Sequence, residues 1–242
     1  SESYTKTGGI FQNLYKYIDS EPEIVKQCEI CSVELGKNTD QNILIPLIIK
    51  SITEMEPNSS LQPLYVRIKF LSHFLTELPN ITLENAQLIV ETLNHLDIFN
   101  LSDNNFSTNI LLSLYQIYAS LISSLKEQCS KFHSLVFFPL LLLSSLPETV
   151  KIREAVINSI LKLSQFCGFE KIEDLYSLEM GEVLAKFKTT YKDWKRNSPD
   201  RFAFDIYVKL AGNALEKHWT EILLIISQCC DGEKDIEMRM DM

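Results

Sequence analysis

Residues 82–96 read Thr-Leu-Glu-Asn-Ala-Gln-Leu-Ile-Val-Glu-Thr-Leu-Asn-His-Leu. Ala86, Ile89, Val90, Leu93 and Leu96 recur at spacings of three and four, which puts them on one side of a helix. Thr82 stands where a hydroxyl can cap the first free N–H groups. A strand would need alternation, and none is present here.

The same spacing continues in both directions. Upstream, Leu64, Ile68, Leu71, Phe74, Leu75 and Leu78 line a helix from Leu61 to Leu78. Before it, Asp40 caps a helix whose Ile43, Leu44, Leu47, Ile48 and Ile52 form a broad apolar face despite Pro46. Further back, Ser20 caps a helix with the stripe Ile24, Cys28, Cys31 and Leu35, ending at Gly36, and a short first helix spans Ile10 to Ile18. Downstream, the polar stretch Asn100–Asn105 is read as a surface loop, and a helix runs from Ser107 to about Lys131. Ser134–Leu146 is apolar on every side and reads as a buried helix, too short for the roughly 20 residues that cross a bilayer. Pro147–Phe166 follows, closed by Gly168. A short turn at Ile172–Leu175 then leads to helices from Leu178 to Trp194, after Ser198-Pro199, and from Asn213 to Cys229. The expected fold is all-α, with one domain over residues 1–230 and an acidic, frayed tail over 231–242.

Composition narrows the function. Only 7 of 242 residues are glycine, and no GxGxxG or GxxxxGK[ST] loop occurs, so nucleotide-cradling folds and turn-rich sandwiches are excluded. The balance of 23 basic against 32 acidic residues, 23 − 32 = −9, repels phosphate backbones and disfavours nucleic acid. Six cysteines scattered through apolar patterns read as reduced intracellular thiols, cytoplasmic or nuclear. Ser1 opens the chain without a charged-then-apolar leader, which leads us to expect a fragment start with flanking sequence missing. The sequons at Asn58, Asn80, Asn100 and Asn105 are read as incidental on the same ground.

Helices of this length with short breaks give a pair period of about 40 residues, the size of HEAT and armadillo units, whose hairpins bury their apolar sides only by stacking. The expectation is an α-solenoid of roughly five antiparallel helix pairs, with a globular multi-helix bundle as the alternative. Over Val150–Ala211 the amphipathic positions Ile152, Ala155, Val156, Ile160 and Leu163 lead into Cys167-Gly168-Phe169 and then Lys171-Ile172-Glu173-Asp174-Leu175 before another helix. This succession resembles linkers in the HEAT spirals of phosphatidylinositol-3-kinase-related kinases of the ATM type. It is similar also to the Tel-two-interacting cochaperone scaffolds that assist those kinases. The resemblance implies a non-catalytic, protein-binding solenoid within a larger regulatory or chaperone-type assembly.

Individual residues are read against that background. Cys28-x-x-Cys31 lacks the two further ligands a zinc site requires and falls on an apolar stripe, so core packing is expected. Cys229-Cys230, a vicinal pair at the end of the last helix, is read as packing or simple exposure. His73, His95, His133 and His218 lie far apart, outside any metal or catalytic motif, and read as structural. No catalytic residue, cofactor or metal is expected. The local exception in charge is the segment 186–201, where Lys186, Lys188, Lys192, Lys195, Arg196 and Arg201 oppose Asp193 and Asp200, 6 − 2 = +4, with Tyr191 and Trp194 interleaved. A solvated helix face accounts for it, with Trp194 as an inter-helix plug; a partner-binding edge at Lys188, Lys192, Trp194, Lys195 and Arg196, facing an acidic protein segment, is the functional reading. A small all-α enzyme with a scattered pocket and a nucleic-acid-binding helical repeat stand as alternatives.

Overall fold

The computed structural model describes residues 22–54, 61–78, 80–96, 98–100 and 105–229. Every regular element among them is helical. The expected helix at Ile10–Ile18, the Ser20 cap and the acidic tail lie outside the described residues, as do Cys230 and the side chain of Cys28.

Ten α-helices occur among the described residues: α1 (Pro22–Asn38), α2 (Gln41–Thr53), α3 (Leu61–Thr76), α4 (Leu83–His95), α5 (Asn105–Leu125), α6 (His133–Ser145), α7 (Arg153–Phe166), α8 (Ile172–Thr190), α9 (Pro199–Leu210) and α10 (Trp219–Cys229). Two compact units divide the chain at residue 126.

In the first unit α3 packs on α1 and α5, and α2 on α3 and α4. The caps form as the sequence predicts: the Asp40 carboxylate accepts from the Asn42 N–H at 2.9 Å, and the Thr82 hydroxyl from the Asn85 N–H at 3.3 Å. Pro46 stays within α2 because it occupies the exposed side, opposite the buried Leu44, Ile45, Ile48, Ile49 and Ile52. Gly36 does not end α1, which runs on to Asn38. It is instead a crossing point, where a Cβ would collide with the Phe74 carbonyl oxygen of α3. That crossing also overturns the reading of Cys31 as a core residue. The buried line of α1 runs through Ser32 and Gly36, leaving Cys31 exposed.

In the second unit α6 packs on α7 and α9 and is buried nearly all round, from Val136 to Ser145. Gly168, at φ 84°, ends α7: the Phe169 N–H reaches the Ser164 carbonyl at 3.1 Å and the Gly168 N–H the Gln165 carbonyl at 3.0 Å, the pairing of a Schellman motif. Ile172–Leu175 is no separate turn. Extended backbone at Lys171 places Glu173 and Asp174 in the first turn of α8, whose helix dipole favours acids there. The helix then stops at Thr190, so Trp194 lies beyond it. Three expected helices are also shorter than their patterns, because 3₁₀ segments occupy 126–131, 147–152 and 212–218. Among the described residues no single helix is long and apolar enough to cross a membrane.

Candidate protein-binding site

The basic segment begins on the outer side of α8 and ends in the first turn of α9. Packing decides which cations reach the surface. Lys188, Lys192, Lys195 and Arg196 are exposed. Lys186 lays its ammonium 4.5 Å from the centre of the Phe138 ring, and partial burial lowers its pKa. Arg201 is only 5% exposed and donates to the Arg196 carbonyl at 2.8 Å, so it ties down the turn from inside.

Trp194 faces inward as well, at 3% exposure. Its ring stands edge-on to Phe187 at 5.7 Å and rests against Phe204 at 5.6 Å. The indole N–H donates to the Thr190 hydroxyl at 3.0 Å, which in turn donates to Asp200 at 2.6 Å. Of the five residues read as a binding edge, Trp194 is thus placed in the aromatic interior, where it locks the segment 194–198 against α8 and α9. Lys195 and Arg196 stand on the segment that it holds, Lys192 on the turn before it and Lys188 in the last turn of α8.

Helix α10 borders this edge. It packs on α8 and on the turn Tyr191–Asp193 that carries Lys192. Lys188 forms an ion pair with Glu221 of α10, and His218 contacts the same carboxylate at 3.1 Å. The hydrogen bond from Lys188, with that from His218, holds Glu221 below its ordinary pKa. Ile222, Ile225 and Cys229 of α10 face inward, while Trp219, Leu223 and Leu224 remain 46–51% exposed. The apolar pattern of this helix thus exceeds what the described residues cover.

A second polar constellation lies in the core of the same unit. Glu179 of α8, 3% exposed, meets the imidazole Nδ1 of His133 at the start of α6. Burial raises the Glu179 pKa, against the opposing pull of His133. Nearby, burial raises Cys167 to about 11 and Cys129 to about 12, the neighbouring Glu179 and Cys167 respectively adding to the rise. These are donor types that bind metals, yet among the described residues no three of them come together in a ligating group. Thiols raised this far are poor nucleophiles at neutral pH. Tyr207 donates to the Tyr176 carbonyl at 3.0 Å, whereas the buried Tyr176 hydroxyl has no hydrogen-bond partner among the described residues. Sequence reading missed the pair because it started α8 at Leu178; begun at Ile172, the helix shows Glu179 inside the inward stripe Leu175, Tyr176, Met180, Val183, an acid where only apolar residues fit.

The architecture is thus that of an all-α protein presenting a basic edge beside an incompletely covered helix. No family model matches the chain, and no solved structure matches it. Over 225 residues it is 21% identical to dynein axonemal assembly factor 5 of Homo sapiens, an alignment covering 93% of this chain and 25% of that protein. The chain therefore spans about a quarter of that relative's length.

Proposed function

We propose that this chain is a non-catalytic, helical-repeat section of a scaffold that holds other proteins while they assemble. The likeness to an assembly factor along 93% of the chain carries the reading. The helical pairs support the HEAT- or armadillo-type α-solenoid as its form, with one repeat domain over 1–230 proposed. Its partners are proteins, its place is inside the cell, and its contact edge is formed by Lys188, Lys192, Lys195 and Arg196. The same surface on a chain of net charge −9 suits an acidic protein segment better than a nucleic acid, which calls for a continuous basic stripe. Against the enzyme reading, burial holds the Cys129 and Cys167 thiols away from the thiolate.

The test is affinity capture with the full chain, wild type against Lys192→Glu/Lys195→Glu/Arg196→Glu, with the co-eluting proteins identified by mass spectrometry. A defined set of proteins retained by the wild type and lost from the variant is expected. Equal retention by both would remove the basic edge from the proposal, and retention of nothing would remove the scaffold itself. Small-angle X-ray scattering reads the form: an elongated profile is expected, and a compact one would favour the globular bundle.

A further inference from the structure

We infer that the surface formed by α10 and the cationic turn packed against it takes one kind of segment, an acidic amphipathic helix of a partner protein. This rests on the scaffold reading above and specifies its ligand. Charge complementarity is the first argument. Within an acidic chain, Lys188, Lys192, Lys195 and Arg196 are exposed along one short run, and α10 packs directly on the turn that carries Lys192. The ion pair from Lys188 to Glu221 fixes which flank of α10 faces those cations.

Helical geometry then identifies the apolar anchor. At about 100° per residue, Leu224 lies about 60° from Glu221 and so shares its flank, whereas Trp219 lies about 160° away. Leu224 is 51% exposed. The flank of α10 that Lys188 contacts thus presents an exposed leucine on the side of the helix next to the cationic turn, and the complementary surface has apolar and carboxylate side chains next to each other.

The backbone decides the conformation of the occupant. The N–H and C=O groups along α8 and α10 serve their own helices, and the described residues contain no strand edge to which an extended peptide could add. Along these two helices only side chains are on offer. A segment bound by side chains alone must satisfy its own backbone, which a helix does, and a helix with leucines on one side and glutamates on the next presents both required groups at once.

The experiment uses the full chain and three fluorescently labelled synthetic peptides, followed by anisotropy. One is a helix-forming peptide with leucine on one face and glutamate on the other; one has the same composition scrambled out of helical period; one replaces each glutamate by lysine. The first is expected to bind, with affinity falling as salt is added. Leu224→Ser and, separately, Lys192→Glu/Lys195→Glu/Arg196→Glu should each weaken it tenfold or more, while Trp219→Ser leaves it within twofold. Circular dichroism and the thermal midpoint verify that each variant is folded. The inference is overturned if the lysine peptide binds as well as the glutamate peptide, if Leu224→Ser has no effect, or if no peptide binds. Equal binding by the scrambled peptide also overturns it, while leaving the scaffold reading intact; the capture experiment tests that reading separately.

Discussion

The two units solve the burial problem with different materials. The first is mainly aliphatic, with Leu44, Ile45, Ile48, Ile68, Ile89 and Val90 at 0% exposure, and ties its helices together near the surface with neutral side chains and with an ion pair between Lys69 and Glu29. Asn85 donates to Asn42 at 2.9 Å, and Ser72 donates to Gln116 at 2.8 Å. The second concentrates aromatic rings around α6, α8 and α9. Phe187 alone stands edge-on to Phe138, Trp194, Phe204 and Tyr207. It also takes a carboxyl and an imidazole below the surface. An aliphatic interior tolerates small slippage, whereas interlocked rings and a buried polar pair require a defined geometry. The surface segment proposed as the contact edge belongs to the second unit, anchored by Trp194.

Both tryptophans, Trp194 and Trp219, belong to the second unit, so tryptophan fluorescence follows that unit while far-UV circular dichroism follows both. The largest effect is expected from Phe187→Ala, about 4 kcal/mol for a fully buried phenylalanine, read as an early tryptophan transition in urea. A loss below about 1 kcal/mol would mean that the ring cluster is not the keystone of its unit. Gly36→Ala comes next, at about 2–3 kcal/mol, because two backbones must separate where α1 crosses α3. Part of the circular dichroism signal should be lost early while the tryptophan transition stays in place. Movement of both together would show the units to unfold as one.

A smaller effect carries a sign. With the Glu179 carboxyl raised above its ordinary 4.5, the folded unit holds that proton more tightly than the unfolded chain does. The resulting stabilisation is complete below the ordinary value and is lost as pH rises through the raised one. The thiols at about 11 and about 12 titrate outside that range. Wild-type midpoints by tryptophan fluorescence should therefore fall across this window, and Glu179→Gln should flatten the fall; an unchanged slope would assign the pH dependence to other groups. The smallest contrast is between two phenols. Tyr207→Phe should cost about 1 kcal/mol by deleting a buried hydrogen bond, while Tyr176→Phe, removing a hydroxyl with no partner, should be neutral or slightly stabilising.

The helical class, the caps at Asp40 and Thr82 and the stop at Gly168 were legible because each depends on local chemistry that a few neighbouring residues determine. What escaped reading depends on distant partners. Cys31 fits an apolar stripe on paper, but the close approach of α3 at Gly36 selects a neighbouring line of α1 for burial. Trp194 reads either as an anchor amid cations or as an inter-helix plug, and Phe187 and Phe204 decide for the plug. Glu179 and His133 are separated by 46 residues, and nothing local announces that they meet. The basic edge was visible as charge, yet its division into surface cations and the interior Arg201 follows from tertiary packing.

Helix α6 has one consequence for synthesis. Its greasy circumference is sheathed in part by α9, which leaves the ribosome only after α7 and α8 have been made. During that interval the nascent chain carries a naked oily rod, the kind of surface that holdase chaperones occupy and that sticks to its own kind when they are scarce. A protein read as an aid to the assembly of others would thus need an escort through its own birth.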